Sequence, residues 1–288
     1  MGIILAVIGP GFTGGRIAAA ARDAGIAVRL VGRHGADARF ATSEAGAVIA
    51  SASLLVSTVP PDGACDPVLA AHGREIAAAP LRWVGYCSAT SVYGDHAGGA
   101  VDEASEPAPG HDRAIARLAA ENAWRRAVPA GCALDLIRIA GIYGPGRSAL
   151  EALGAGRARR IVKPGHVACR VHVDDLAALV LAAIRRPPPP GGTRVLHAAD
   201  DLPAPPADVV AEAARLLGLA PPPTVPFSEA EAEMTRLARS YWNESRRVRT
   251  VLTGKATGWA PRYPSFREGL CAILATIQAD QLAQHRPE

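Results

Sequence analysis

The first chemistry legible in this chain is carried by three glycines. Gly9, Gly11 and Gly14 stand in a G-x-G-x-x-G spacing directly after an apolar run, Ile3 to Ile8, and good helix formers follow from Gly15 to Ala21. A strand, a glycine turn and a helix in that order make a cradle for a pyrophosphate. Gly9 permits the tight turn, Gly11 lets the backbone approach the anion, and Gly14 lets the helix pack on the strand. The free N–H groups of the first helical turn, at Phe12 and Thr13, then face the phosphates. About 20 residues beyond such a turn the fold inspects the adenosine ribose, where an Asp or Glu favours NAD. Here that place holds Gly32 and Arg33, which leave room and a guanidinium for a 2′-phosphate. NADP is therefore the expected cofactor, with NAD as the alternative; the competing account of Arg33 is an exposed loop arginine.

The elements that must position this turn read as alternating strands and helices. Strands are predicted over 27–31, 54–59, 82–87, 134–139 and 193–197, and helices over 67–79, 113–128 and 176–184. That alternation predicts an α/β fold, a Rossmann-type doubly wound parallel sheet. Ligands of such sheets lie beyond the carboxyl ends of the strands, so Thr58, Val59 and Pro60 are expected at the cofactor cleft. Residues 1–200 form the expected dinucleotide-binding domain, with a lobe insertion near 144–170. From 201 to 288 Pro-rich loops separate helical stretches, which predicts mostly a small substrate-binding lobe.

Composition narrows the function classes. The 288 residues are 49% hydrophobic and 20% charged with a net charge of +4, an ordinary globular balance, and no basic run is interleaved with aromatics. Nucleic acid is not implied. The opening apolar run lacks a basic n-region, and no segment reaches the roughly 18 apolar residues of a membrane helix. Cys65, Cys87, Cys132, Cys169 and Cys271 are scattered without C-x-x-C, which reads as reduced thiols in a cytoplasmic protein. No metal site is expected. The expected partner is a small-molecule substrate, and the expected state a monomer or homodimer.

Four blocks in order carry a family resemblance: the turn 9–14, Tyr86-Cys87-Ser88-Ala89-Thr90-Ser91-Val92-Tyr93-Gly94, Ile142-Tyr143-Gly144-Pro145-Gly146, and Arg170-Val171-His172-Val173-Asp174-Asp175. A fifth, Trp259 to Leu270, resembles the family's C-terminal ending. With these the chain resembles the extended short-chain dehydrogenase/reductases, the NAD-dependent epimerase/dehydratase family. The resemblance implies a cofactor contact for Ala140, Gly141 and Ile142, beside the nicotinamide. It implies an anionic substrate group for Arg170, which an inter-lobe ion pair would equally explain, and a substrate-side place for Ser91. The family's chemistry uses a Ser or Thr four residues before the V-Y-G tyrosine and, roughly 25 residues on, a Tyr-x-x-x-Lys pair whose tyrosine is the acid/base.

Here the chain departs. Ala89 stands at the hydroxyl position, Arg113 and Arg117 stand at the tyrosine and lysine positions, and no tyrosine has a lysine four residues on. Arg117 can keep the ribose contact; a guanidinium cannot serve as the acid. The remaining catalytic candidates are Ser88 and Thr90, which flank the lost hydroxyl, His111, whose residue type suits proton transfer, and Tyr143. Their bland readings are backbone capping, a solvated loop histidine and packing between lobes. Asp174 reads as a helix N-cap, and Tyr241-Trp242 and Arg246-Arg247 as either cleft lining or a packing face. The pattern resembles atypical members of the family. The functional expectation is an NAD(P)-dependent oxidoreductase or epimerase-like protein acting on a small polar substrate, sugar- or phosphate-bearing compounds included. The alternative is a non-catalytic NADP-binding or sensing protein.

Overall fold

The computed structural model describes residues 2–63 and 65–284. The apolar opening run forms β1 (Ile4–Ile8), whose last four residues are buried, and the glycine turn leads into α1 (Phe12–Asp23). The chain continues through β2 (Ala27–Gly32), β3 (Ala38–Arg39), α2 (Ser43–Ser51), β4 (Leu54–Ser57), α3 (Pro67–Ala78) and β5 (Trp83–Ala89). After a 3-10 turn at Thr90–Tyr93 come β6 (Ala100–Val101), α4 (Asp112–Ala127), β7 (Ala133–Ile139) and β8 (Gly141–Tyr143). The next stretch holds α5 (Ala149–Gly154), β9 (Arg160–Val162), β10 (Arg170–His172), α6 (Val173–Arg185) and β11 (Thr193–Ala198). Last come α7 (Pro206–Leu216), β12 (Thr224–Pro226), α8 (Phe227–Ala230), α9 (Arg236–Trp242), β13 (Arg247–Val248), α10 (Val251–Thr257) and α11 (Phe266–Gln284).

Seven strands make one parallel sheet in the order β11-β7-β5-β4-β1-β2-β3. The order reverses at β1 and β4, the point where an open sheet leaves a crevice beyond its carboxyl ends. Strand alternation sends Leu5 and Val7 to one face, against Ile17, Ala18 and Leu176 of α1 and α6. Ala6 and Ile8 go to the other, among Ile49, Val68, Ile76 and Trp124 of α2, α3 and α4. Burial on both faces is why the strands read as continuous apolar runs.

A second core, with Leu150, Ala213, Phe266, Leu270 and Ile273, unites α5, α7 and α11. β9 and β12 pair beside it. Segment 144–170 and much of the region after 201 thus share this lobe. The chain also returns to the sheet: β13 pairs with β6, and α10 packs on α6 and β11. A shift toward Pro-rich loops marks irregular structure without telling which core each helix covers.

Two local readings are corrected. α6 begins at Val173, because the N-cap is His172, whose Nδ1 accepts the Asp174 N–H at 3.2 Å. Asp174 lies inside the first turn, 3.3 Å from Arg16 Nε. β4 stops at Ser57, because Thr58 turns its hydroxyl onto the Gly9 carbonyl at 2.6 Å.

Candidate functional site

At the switch point each glycine of the turn has its own steric reason. Gly9 sits at φ +90°, where a side chain is strained, and a Cβ there would lie 2.8 Å from Thr58 Oγ1. A Cβ on Gly14 would lie 2.2 Å from the Gly9 carbonyl oxygen, so α1 can approach β1 only through a glycine. Gly11 has nothing within 4 Å of where its Cβ would stand. It faces open space in front of the α1 N-terminus, whose first turn carries no acidic residue. Gly32 is required by packing, since a Cβ there would lie 2.6 Å from Pro10 Cδ.

From this turn a cleft of about 1050 Å³ extends along the carboxyl ends of the strands toward the second lobe. Thr13, Thr58, Pro60, Arg117, Ala140, Gly141 and Ile142 line it, as do Thr90, Ser91 and His111. Val59 packs beneath Gly9, and Arg33 is exposed at the end of β2, outside the cleft lining. Ile139-Ala140-Gly141 passes from β7 into β8, and the Gly141 N–H is spent on the Cys169 carbonyl at 3.0 Å.

The wall formed by β5, α4 and β7 is tied into a buried polar chain. Ser88 Oγ donates to Glu121 Oε1 at 2.5 Å, and Arg138 grips the same carboxylate through Nε and Nη2 at 3.0 and 2.8 Å. Arg138 Nη1 donates to the Tyr93 hydroxyl at 2.8 Å, which lies 2.5 Å from His197 Nε2. His197 Nδ1 is 2.7 Å from the Arg249 carbonyl. A carbonyl only accepts, so Nδ1 carries the hydrogen and Nε2 accepts from the phenol. Burial raises the Tyr93 pKa against the pull of Arg138. Ser88 therefore lines the cleft with its proton already committed, and Tyr93 lies beneath it.

Arg117 donates through Nη1 to the Tyr86 hydroxyl at 3.2 Å and the Cys87 carbonyl at 3.0 Å. Burial pushes the Cys87 thiol up to about 12 against the pull of Arg117, so it is no thiolate near neutral pH. His111 caps α4: its Nδ1 accepts the Ala114 N–H at 3.2 Å, and its Nε2 is 3.5 Å from Glu244 Oε1. The other oxygen of Glu244 is held by both terminal nitrogens of Arg246 at 2.8 Å.

Two expected site residues lie elsewhere. Tyr143 and Arg170 line an adjoining cavity of about 390 Å³ in the second lobe. The Tyr143 hydroxyl donates to the Ser265 carbonyl at 3.4 Å, its ring presses on Gly269, and burial raises its pKa. Arg170 spends its guanidinium on the carbonyls of Ala168 and Ala204 at 3.0 and 3.2 Å, with burial lowering its pKa against nearby Asp200. Both side chains leave short β8 and β10 toward the lobe core.

The cleft also takes residues that sequence reasoning missed. Glu244 carried no signal at all, since its partner His111 is far away in the chain. Arg147, one position past the Ile142–Gly146 block, lines the cleft together with Tyr241 and Arg246. Among the described residues no group of three or more His, Cys, Asp or Glu could hold a metal ion. No helix there is long and apolar enough to cross a membrane.

Comparison with known proteins adds relatives to this geometry. No family model matches the chain. A 3-diazoavenalumate denitrifying reductase from a Streptomyces species is 31% identical over 143 residues, covering 47% of this chain and 45% of that protein. The chain thus matches less than half the length of this curated relative. Among solved structures, a functionally unknown conserved protein from Silicibacter pomeroyi DSS is 38% identical, with a TM-score of 0.83 over 96% of this chain and 99% of that one. A human epimerase family protein, solved with NADPH, shares the fold at a TM-score of 0.79 and 19% identity, over 96% of this chain and 99% of its own.

Proposed function

We propose that the chain is a member of the extended short-chain dehydrogenase/reductases, the NAD-dependent epimerase/dehydratase family that its sequence blocks resemble and whose fold it shares, and that it is an NAD(P)-dependent oxidoreductase preferring NADP(H). The observation that carries this reading is the turn at 9–14. Its two closed glycines hold α1 against β1, and its one open glycine faces the cleft. The space in front of Gly11 and the acid-free first turn of α1 fit a pyrophosphate. The exposed guanidinium of Arg33 fits a 2′-phosphate. Ala140, Gly141, Ile142 and Arg117 would border the nicotinamide end. When bound, the cofactor supplies hydride chemistry. The human relative's structure holds NADPH and the Streptomyces relative is named a reductase, and both support the reading.

What the chain's own residues supply is a proton route without the family's tyrosine. Thr90, at the foot of the cleft, and His111, with Nδ1 held by its own helix and Nε2 facing inward, are its proton-bearing candidates. Ser91, Tyr241 and Arg246 would contact a small polar substrate in the cleft. Ser88 acts through Glu121 as a positioning residue, and Tyr143 and Arg170 as lobe residues. We further propose a cytoplasmic monomer or homodimer that works on small molecules and not on nucleic acid. The competing reading, a protein that only holds the nucleotide, draws on Arg113 and Arg117 in the places of the tyrosine and lysine.

Two measurements test this. Calorimetric titration should show NADPH binding more tightly than NADH, with Arg33→Ala removing most of the difference, about tenfold; equal affinities in the unmutated protein would refute the 2′-phosphate assignment. NADPH oxidation should then be followed with small aldehydes, ketones and nucleotide sugars. His111→Gln or Thr90→Val is expected to cost about 100-fold, and Tyr143→Phe nothing. Turnover absent with every compound, despite tight NADPH binding, would favour the holding protein.

A further inference from the structure

Two of the cleft's arginines, Arg113 on α4 and Arg147, have no hydrogen-bond or ion-pair partner for the guanidinium among the described residues, and only Arg147 lies against the glycine turn. Arg117 is spent on Tyr86 and Cys87, and Arg246 on Glu244 and the Gly94 carbonyl. Arg16, on α1 itself, pairs with Asp174 at 3.3 Å. Arg147 instead lies with its guanidinium carbon 5.5 Å from the ring centre of Phe12, the first residue of α1 and the neighbour of Gly11. It faces both the large cleft and the smaller cavity beside it.

Its position is fixed by its loop. Gly144 and Arg147 exchange both main-chain hydrogen bonds, at 3.2 and 2.9 Å. Gly146 adopts φ +80°, and its N–H donates to Glu151 Oε1 at 2.8 Å. Ser148 caps α5 by accepting from Leu150 N–H at 3.1 Å and donates to the other oxygen of Glu151, so this neighbouring carboxylate is already engaged. A Cβ on Gly144 would stand 2.6 Å from Val173 and 3.3 Å from the Phe12 ring, so the loop rests directly on the start of α1. A tight turn has thus been laid on the phosphate cradle, and it presents an unspent, planar, bidentate cation there.

We propose that Arg147 is a clamp on the cofactor's pyrophosphate, reaching from the segment that begins the second lobe, opposite the N–H groups of the glycine turn. This rests on the dinucleotide reading above. It divides cofactor recognition in two: Arg33 discriminates the 2′-phosphate, whereas Arg147 grips the group that NADP(H) and NAD(H) share.

The test is calorimetric titration of the full chain with NADPH, NADH and ADP-ribose, the last having the pyrophosphate without the nicotinamide. Arg147→Gln is expected to weaken all three by a similar factor, about 10- to 100-fold, as befits a charge-assisted contact. Arg147→Lys should recover part of the loss, since it keeps the charge and loses the fork. Arg113→Gln, a change at another cleft arginine, should leave ADP-ribose binding within about twofold. Arg147 is exposed, so an unchanged melting temperature should accompany each of its variants. Binding of all three ligands within twofold in Arg147→Gln overturns the clamp, whether the guanidinium is idle or serves an anionic substrate in the adjoining cavity. A loss confined to NADPH and NADH also overturns it, because the contact would then be with the nicotinamide half. Failure of the unmutated chain to bind any of the three would defeat the dinucleotide reading itself, a result distinct from either.

Discussion

At the glycine-turn end of the cleft the surface is main chain, set by which positions lack a Cβ: Gly9 and Gly14 because space is filled, Gly11 because space is left. At the other end the wall rests on buried side chains drawn from five elements. Ser88 comes from β5, Glu121 from α4, Arg138 from β7 and His197 from β11, with Tyr93 between them from the 3-10 turn. The first region carries the glycine spacing of the family the sequence resembles, whereas around the second Ala89, Arg113 and Arg117 stand where that resemblance expects a hydroxyl, a tyrosine and a lysine. A backbone cradle tolerates little variation, because any side chain on it displaces an atom of the ligand or of the fold. A side-chain network can be rewired, provided every buried polar group still finds a partner.

The sharpest way to break this comparison is at the glycines. Gly11→Val places a branched side chain in the open space, so dinucleotide binding should fall below detection while the far-ultraviolet circular dichroism and melting temperature stay unchanged. Gly14→Ala should do the reverse, lowering the melting temperature because its Cβ would meet the Gly9 carbonyl at 2.2 Å. If Gly11→Val still binds NADPH, the phosphate does not lie where the turn implies. If Gly14→Ala melts like the parent, the closed role of that glycine is wrong.

The same contrast explains what was legible in the sequence. The turn, the central strands and α4 were visible because each is encoded locally, in a glycine spacing or an apolar period. The Trp259–Leu270 block was visible too, and its anchor is Asp175, which accepts the Arg262 and Tyr263 N–H groups at 2.8 and 3.1 Å. Glu121 was legible as part of a helical block but not as the partner of Ser88 and Arg138, because that pairing exists only once β5, α4 and β7 are packed. Tyr143 and Arg170 belong to recognisable blocks, yet short β8 and β10 turn them into the lobe. Glu244 comes from a loop with no periodicity, and no local pattern announces it opposite His111.

The second region should fail through stability before it fails through binding. Glu121 and Arg138 are 0% and 3% exposed, and removing one member of such a pair strands the other charge. Glu121→Ala is expected to cost about 3–5 kcal/mol in urea denaturation. Glu121→Ala combined with Arg138→Met should cost clearly less, since an apolar replacement of both members is often nearly neutral. A double variant no more stable than the single one would show that the network positions the wall by more than charge pairing.

A smaller effect sharpens the comparison by asking what happens to a buried carboxylate without such a partner. Asp200, two residues past β11, is 2% exposed and has no ion-pair partner within 4 Å among the described residues. Burial pushes its pKa up to about 7, against the pull of Arg170. In the unfolded chain an Asp titrates near 3.9. Between about pH 4 and pH 7 the folded state therefore holds a proton that the unfolded state has lost, so this residue makes stability fall as pH rises through that window. Above pH 7 the penalty is fully present and constant; below pH 4 it is absent. Asp200→Asn removes the titration and keeps the shape. Its melting temperature should exceed the parent's at pH 8, by about 2–4 °C for each kcal/mol gained in a chain of this size, and the gap should close toward pH 4. A gap that is constant across pH would assign the effect to packing and leave Asp200 with no role in the pH dependence. A gap that opens toward acid would mean that the Asp200 carboxylate is stabilised in the fold after all, and that the contrast between paired and unpaired acids fails at this site.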